Sequence, residues 1–150
     1  MSLASALHKL RARPPAERRL MLAAVLRLAW AWGMIRLLSL QRIAIRLRME
    51  AGEDHTPLSS DQMEEAARVG RAVVSAAAHT PWRSACLEQA LAAAGLLRRG
   101  AIPGSLYLGV VRDPTQPDGM AAHAWLRCGD VVVTGAGGHE RFTIVGKYRW

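Results

Sequence analysis

The chain has 150 residues, of which 51% are hydrophobic and 21% charged, with a net charge of +8 at pH 7. This length suits one domain with a single core and excludes two large ones. The chain has only two cysteines and no Cys/His spacing of the zinc-finger type, which excludes a structural zinc site. We predict neither a metal nor a cofactor. Because no secretory signal is recognisable, we expect a cytoplasmic protein with Cys86 and Cys128 as free thiols.

The positive charge is concentrated in the first third of the chain. Residues 1–50 contain ten of the 20 basic residues and only two acids, Glu17 and Glu50, whereas the remaining residues carry no net charge. We therefore expect an anionic partner to meet the chain in this segment. Since 18 of the 20 basic residues are arginine, codon bias is an alternative explanation. No cluster of basic and aromatic residues indicates nucleic acid, and we predict none as a partner.

The segment from Pro14 to Met49 predicts helices, because Pro14-Pro15 followed by Glu17 is typical of a helix start. Its apolar content approaches that of a membrane span. The segment is interrupted by four arginines, Arg27, Arg36, Arg42 and Arg46. They leave no uninterrupted apolar run near the ~20 residues that a bilayer requires, so we predict no transmembrane segment. One unbroken helix would put Arg27 and Arg36 on opposite faces. We therefore expect a break in the helix near Gly33 or Ser39.

A polar hinge follows at residues 51–57. We place there the boundary between a basic helical N-terminal region, residues 1–52, and a core, residues 53–150. After the hinge, Ser59 and Asp61 are candidate N-caps with a partner at the capping-box distance, and the helix is predicted to run to about His79.

A second helix of the core is predicted to begin after Ser84, which is a suitable N-cap. Its apolar residues recur at helical spacing up to Leu97, and Gly100 is typical of a helix stop. Beyond Ile102 the pattern changes to that of strands, separated by glycine, proline and aspartate turns. The predicted strands are Ser105 to Arg112, Ala121 to Arg127, Val131 to Thr134 and Arg141 to Tyr148. Helices followed by a small antiparallel sheet define an α+β fold.

Cys86 is the candidate nucleophile. With Ser84 as N-cap, it lies in the first helical turn, where unpaired N–H groups and the helix dipole favour a thiolate. A packing role in this alanine-rich helix is the alternative. A thiolate needs a proton partner, and His123 is the best candidate because it lies on a predicted strand. On that strand His123, Trp125 and Arg127 share one face, whereas Cys128 faces the other side and is assigned to the core.

Two blocks of sequence resemble the transglutaminase-like superfamily and, within it, the leader peptidases of lasso-peptide biosynthesis. The block PWRSACLEQALAAAGLLRRGAIPGSLYLGV is similar to that family's cysteine helix, the exit from it and the following strand. The block HAWL, beginning at His123, is similar to the family's His-Ala-Trp strand. The resemblance implies a papain/transglutaminase-like core, with the cysteine helix packed on a small antiparallel sheet. It also implies that Cys86 is the nucleophile, that His123 is the general base and acid, and that the reaction removes a leader from a ribosomally made precursor peptide.

The chain departs from the family pattern at the third catalytic position. Such enzymes carry an aspartate on the strand after the histidine strand, where it orients the imidazole. The corresponding segment Val131 to Gly135 has no carboxylate. We rank Glu140 or a backbone carbonyl above Asp130 as the orienting group and leave the assignment open.

The resemblance also implies partners: the precursor peptide, a separate leader-binding protein (a RiPP recognition element) and the lasso cyclase. We expect the N-terminal helices to assist docking. Trp82 and Trp125 are candidates for walls of the substrate cleft, with structural packing as the alternative. Two rival functions stay open: a non-catalytic basic adaptor that binds an anionic surface or partner through the N-terminal helices, and thiol-dependent acyl transfer to an amine.

Overall fold

The computed structural model describes residues 14–150; the first 13 residues of the predicted basic region lie outside the described part. Four α-helices precede most of the sheet, which confirms the α+β fold: α1 (Pro15–Leu37), α2 (Leu40–Arg46), α3 (Ser60–Ala77) and α4 (Cys86–Arg99). The strands are β1 (Glu50–Ala51), β2 (Ser105–Arg112), β3 (Met120–Cys128), β4 (Val131–Thr134) and β5 (Thr143–Arg149), with a short 3-10 helix at His139–Arg141. The sheet is antiparallel, in the order β1-β5-β2-β3-β4.

Helix α1 runs through Gly33 without a break, and the chain leaves the helix at Leu38 and Ser39. The predicted break near Gly33 or Ser39 is therefore confirmed, and it lies at Ser39. The helix accommodates arginines on opposite sides. Arg27 lies over Gly95 of α4, where an added Cβ would come within 3.1 Å of Arg27 Nη1. Arg36 stacks on Trp32 at 3.9 Å from the ring centroid.

By length and composition alone α1 could cross a membrane, since its best window has a mean hydropathy of 1.5. One such helix near the N-terminus is a weak signal, because core helices pass the same test. Its residues Ala24, Leu28 and Ala31 are fully buried in the hydrophobic core. The described residues form a small domain in which nothing else indicates a transmembrane protein.

Helix α3 begins with the predicted capping box. Ser59 Oγ accepts a hydrogen bond from the Gln62 backbone N–H at 3.2 Å, and Gln62 Oε1 accepts one from the Ser59 N–H at 3.0 Å. Together they satisfy two backbone donors that the first turn of a helix leaves unpaired. The helix ends at Ala77, slightly before the predicted end.

The predicted N-cap of α4 is wrong by one residue. Ala85 is the N-cap, and it provides no side-chain hydrogen bond to the helix. Ser84 is engaged elsewhere, because its hydroxyl lies 3.1 Å from Thr80 Oγ1 and its carbonyl accepts a hydrogen bond from Gln89 Nε2 at 2.9 Å. Cys86 is therefore the first helical residue, while Gly100 ends the helix as predicted.

The strands follow the predicted segments closely, with one addition. Glu50–Ala51, a two-residue strand that the sequence pattern did not indicate, pairs with Arg149 and Tyr148 of β5. The segment therefore belongs to the same sheet as the core. The division of the chain at residue 52 stays a prediction.

The main core lies between the helices and one face of the sheet. Strand β3 contributes Ala124, Leu126 and Cys128 to it, all nearly inaccessible to solvent. Burial raises the pKa of the Cys128 thiol from 9.0 to about 12. The assignment of Cys128 to the core is thus confirmed. Its neighbours His123 and Trp125 project to the opposite face, as the alternation of a strand requires.

Candidate active site

Cys86 occupies the first position of α4, a helix of 14 residues. The N–H groups of a first helical turn have no partner within the helix, and the N-cap Ala85 supplies none from a side chain. The thiol is partly exposed and lies at the positive end of the helix dipole. Glu88, in the same turn, is 8% exposed and shares this positive end with the sulfur. These backbone donors can also stabilise an oxyanion next to the sulfur.

The imidazole of His123 is held by a backbone carbonyl. His123 Nε2 lies 2.8 Å from the carbonyl oxygen of Gly135. A carbonyl can only accept, so Nε2 carries the hydrogen and donates it. In the neutral ring Nδ1 is then the unprotonated nitrogen, able to accept a proton from a nucleophile. Within residues 14–150, Nδ1 has no hydrogen-bond partner of its own.

Gly135 is at this position because no larger residue fits. Its φ of +74° lies in the left-handed region, and a Cβ would come within 2.4 Å of the Ala124 carbonyl oxygen and 2.8 Å of Trp125 Cβ. The backbone can pass this close to β3 only without a side chain. The glycine thereby brings its own carbonyl to the His123 ring.

An aromatic cluster surrounds the imidazole on the face of the sheet away from the helices. We call its members the aromatic face: Tyr107, His123, Trp125, His139 and Phe142. The His123 ring lies 5.0 Å from the Phe142 ring and 6.0 Å from the Trp125 ring, between centroids. Trp125 is stacked in turn on Tyr107, with an interplanar angle of 3°. These contacts restrict the rotation of the imidazole, in addition to the hydrogen bond at Nε2.

The structure does not join Cys86 to His123. Within the described residues no hydrogen bond connects the sulfur with either ring nitrogen. Cys86 packs against the main core, whereas His123 belongs to the aromatic face. Catalytic contacts often form only when substrate binds. Their joint action stays a prediction.

The other residues predicted for the site have different partners. Glu140 is exposed and has one of its carboxylate oxygens 3.4 Å from His139 Nδ1. Asp130 is exposed at the β3–β4 turn and lies 3.4 Å from an Arg127 guanidinium nitrogen. Neither carboxylate is bonded to His123. The ring partner of His123 is the Gly135 carbonyl, and a backbone carbonyl was one of the alternatives left open by the sequence.

The two tryptophans differ in burial. Trp125 is only 5% exposed and forms part of the aromatic face. Trp82 packs on the core beside Trp32, and its indole N–H is buried with no hydrogen-bond acceptor in the described part of the chain. Their role as walls of a substrate cleft stays a prediction.

A polar network borders the aromatic face. Glu53 accepts hydrogen bonds from the Tyr107 hydroxyl and from Lys147 Nζ, the latter at 2.6 Å. These two donors hold the pKa of the Glu53 carboxyl below its usual value. Burial, followed by the bond to Glu53, raises the pKa of Tyr107 to about 12. Together with residues of the aromatic face these groups line an open cavity of about 360 Å³.

Sequence reasoning missed several residues around His123. His139 lies outside every predicted strand, whereas Phe142 and Tyr107 read as ordinary residues of predicted strands. The glycines at residues 135–138 predicted a turn after β4, but not which of its carbonyls would face the imidazole. Among residues 14–150 no group of three or more His, Cys, Asp or Glu side chains is arranged to hold a metal ion.

Comparison with known proteins gives one family. The family described as the transglutaminase-like superfamily matches residues 24–147, which include Cys86, His123 and Gly135. No curated protein and no solved structure matches the chain.

Proposed function

Because the chain belongs to the transglutaminase-like superfamily, we propose that it is a cysteine peptidase that removes the leader from a ribosomally made lasso precursor peptide. Cysteine proteases and transglutaminases are common in this superfamily. The observation that carries the proposal is the position of Cys86, the first residue of a helix whose N–H groups lack a side-chain cap. Such a position favours the thiolate and provides oxyanion donors beside it.

The arrangement around His123 supports the role of general base and acid. With Nε2–H donated to Gly135, Nδ1 is free to take the proton of the Cys86 thiol. The thiolate attacks the scissile carbonyl, and His123 returns the proton to the leaving amine as the acyl-enzyme forms. A water molecule then gives its proton to His123 and cleaves the thioester, which releases the acid and restores the thiol.

Attack requires the thiol and Nδ1 to approach each other in the substrate complex. The hydrogen bond to Gly135 and the ring contacts with Phe142 hold the imidazole, whereas Cys86 lies in the first turn of α4. We therefore expect substrate binding to bring the first turn of α4 and the imidazole together.

The proposal assigns the protein to the cytoplasm, with the precursor peptide as substrate and a separate leader-binding protein and the lasso cyclase as partners. The resemblance of the cysteine and histidine blocks to lasso leader peptidases supports this specificity. The basic N-terminal region suits an acidic leader or partner surface. Neither nucleic acid nor a metal takes part in the proposed reaction.

The test is incubation with a lasso precursor peptide and a leader-binding protein, followed by mass spectrometry. We expect wild type to release the leader with the addition of one water. Cys86→Ala and His123→Ala should reduce the rate by at least about a thousandfold, as losses of a nucleophile or base do. Iodoacetamide should inactivate wild type through Cys86 alone, since Cys128 is fully buried.

Cys128→Ala is the control, because it removes the other thiol without touching the proposed chemistry. It should retain cleavage and its sensitivity to iodoacetamide. Product masses that show an amine instead of water added to the leader would identify acyl transfer. Cleavage that survives Cys86→Ala would contradict the proposal, and binding to anionic vesicles without any cleavage would favour the basic adaptor.

A further inference from the structure

A second histidine of the aromatic face is held in the same manner as His123. His139 Nδ1 lies 2.7 Å from the carbonyl oxygen of Ala136. Since a carbonyl only accepts, Nδ1 carries the hydrogen and donates it. The imidazole of His123 donates to the carbonyl of Gly135, which is the preceding residue. Two imidazoles on the same face of the sheet therefore hold two consecutive carbonyls of one loop.

This loop, residues 135–138, has a backbone that its own side chains do little to restrict. Three of its four residues are glycine. Gly135 and Gly138 have φ angles of +74° and +69°, and a Cβ at Gly137 would meet no atom within 4 Å. Glycine restricts the backbone less than any other residue does. The directions of the loop carbonyls therefore depend on the groups that bind them.

His139 is itself attached to the sheet. Its ring lies 5.5 Å from the Trp125 ring between centroids, and its side chain is only 22% exposed. Trp125 is nearly buried and also contacts the His123 ring. A carboxylate oxygen of Glu140 lies 3.4 Å from His139 Nδ1, which favours the hydrogen on this nitrogen. The donor at Nδ1 thus has a fixed position relative to the His123 ring.

We propose that His139 is a positioning residue for the catalytic base. Its hydrogen bond holds the Ala136 carbonyl, and only Ala136 itself separates that carbonyl from the carbonyl of Gly135. Because alanine has a Cβ, its φ and ψ are confined to a few regions, so fixing one of the two peptide units restricts the other. His139 thereby keeps the Gly135 carbonyl directed at the His123 ring. This inference rests on the proposed function for the role of His123 as base.

The support matters because the orienting group is a loop carbonyl. An aspartate on a strand is held by the strand and orients an imidazole directly. The Gly135 carbonyl follows β4 and begins the glycine loop, so it needs a second contact to keep its direction. Misplacement of a catalytic group by about 1 Å can lower a rate by up to about a hundredfold.

The experiment compares His139→Phe with His139→Asn. Phenylalanine keeps a ring against Trp125 but has no donor, whereas the amide nitrogen of asparagine is bonded to Cγ as Nδ1 is and can donate in its place. Cleavage of a lasso precursor peptide in the presence of a leader-binding protein gives kcat and KM. We expect His139→Phe to lower kcat about 10- to 100-fold with KM changed less than about twofold, and His139→Asn to keep kcat within about threefold of wild type.

His79→Phe is the matched control. His79 Nδ1 also lies 2.7 Å from a backbone carbonyl oxygen, that of Ser75, just beyond the end of α3 and outside the aromatic face. The substitution therefore removes the same kind of hydrogen bond from an exposed histidine elsewhere in the molecule. It should change kcat and KM less than about twofold.

Proton exchange of the His123 ring gives a readout that needs no cleavage. An N–H that is held by an acceptor exchanges slowly with water, and opening of the loop speeds the exchange. We expect a resolved NMR signal for Nε2–H of His123 in wild type and in His139→Asn, and loss of this signal in His139→Phe. Urea unfolding of each variant shows whether it is folded.

A measurement on wild type alone covers the case in which His139→Phe does not fold. The Nε2–H of His123 and the Nδ1–H of His139 should lose their protection from exchange over the same range of temperature, because the two hydrogen bonds hold adjacent peptide units. Protection at His123 that persists after His139 has lost its own would overturn the proposal.

Three results with the folded variants would also overturn it. If His139→Phe retained kcat and the His123 signal, the bond to Ala136 would have no part in orienting the base. Equal losses in His139→Phe and His139→Asn would show that the imidazole ring matters and the donor does not. A raised KM with unchanged kcat would make His139 a substrate contact, since it also lines the open cavity beside the aromatic face.

This inference and the proposed function fail in different ways. If wild type does not cleave the peptide but His139→Phe still loses the Nε2–H signal of His123, the peptidase reaction is wrong and the positioning role stands. If wild type cleaves and His139→Phe cleaves equally fast, the reaction stands and the positioning role is wrong.

Discussion

Gly135 is the residue at which this chain departs most clearly from the pattern it resembles. A carboxylate next to an imidazole both orients the ring and stabilises its positive charge. The Gly135 carbonyl, 2.8 Å from Nε2, orients the ring in the same way but contributes no negative charge. The His123 ring is thus oriented as it would be by a carboxylate, but a protonated imidazole would be stabilised less by the carbonyl than by a negative charge.

Gly135→Ala should be destabilising. The change places a Cβ against the Ala124 carbonyl in a left-handed backbone conformation, and we expect a loss of about 2–4 kcal/mol in the free energy of unfolding. Gly137→Ala is the matched control, because a Cβ there meets nothing within 4 Å. Urea unfolding measures both. A loss below 1 kcal/mol for Gly135→Ala would mean that the loop tolerates a side chain next to β3.

Single residues were predictable where their chemistry is local. Cys86 at a helix start and Cys128 in the core follow from spacing and alternation alone. The orienting partner of His123 was left open between Glu140, a backbone carbonyl and, ranked below them, Asp130, since the path of a glycine loop depends on contacts with a distant strand. The N-cap of α4 moved to Ala85 for a similar reason, because Thr80 engages the Ser84 hydroxyl.

At the scale of elements, helix α3 has one face in the core and another face open to solvent. Its buried face, with Val69 and Val73, packs on the core. Its other side, with Ala67 and Val74, lines an open groove of about 490 Å³ between α3 and β4. The helix begins with a complete capping box at Ser59. Any fraying of its first turn would loosen the loop that carries Glu53 as well as the helix itself.

Ser59→Ala should destabilise the protein by about 1 kcal/mol, because it leaves a backbone N–H of the first turn without its acceptor. Ser60→Ala is the matched control. Ser60 is the next residue, already inside the helix, where alanine is the better helix former. Urea unfolding of both variants gives the comparison. Equal effects of the two substitutions would contradict a specific role for the cap.

Elements with strong local signals were predicted to within a few residues, and those without were missed. The capping box, the Gly100 stop and the strand alternation are all local. Strand β1 has only two residues and therefore no periodicity, and only its pairing with β5 defines it. The unbroken α1 was also unpredictable from its own sequence, because the space for Arg27 is provided by Gly95 of another helix.

On the scale of the whole molecule, Glu53 connects distant parts of the chain. Its carboxylate binds Tyr107 on β2 and Lys147 on β5, and so attaches the loop before α3 to the centre of the sheet. The pKa of this carboxyl is lowered, first by the hydrogen bond from Lys147 and then by that from Tyr107. The folded protein therefore binds a proton at Glu53 more weakly than the unfolded chain does.

The contribution of Glu53 to stability should be complete above its unperturbed pKa of 4.5 and should disappear as the pH falls through the lowered folded value. Glu53→Gln should cost about 1 kcal/mol at pH 7 and should reduce the loss of stability on acidification. Chemical unfolding between pH 7 and pH 3 measures this. Glu64→Gln, a change at an exposed acid of α3, is the control. Parallel pH curves for wild type and Glu53→Gln would contradict the role of this carboxylate.

The strand order has a consequence for how the chain folds. Strand β5 inserts between β1 and β2, and Arg149 binds Glu50 across a separation of 99 residues in sequence. During synthesis, β5 must therefore emerge from the ribosome before β1 can pair with it. By then the four helices α1 to α4 and the β2–β3 hairpin have already emerged. Closing so long a loop is entropically costly, which makes the final pairing slow relative to hairpin formation. Until that step, one side of β2 is an exposed template, and the nascent chain depends on the late arrival of β5 to cover it.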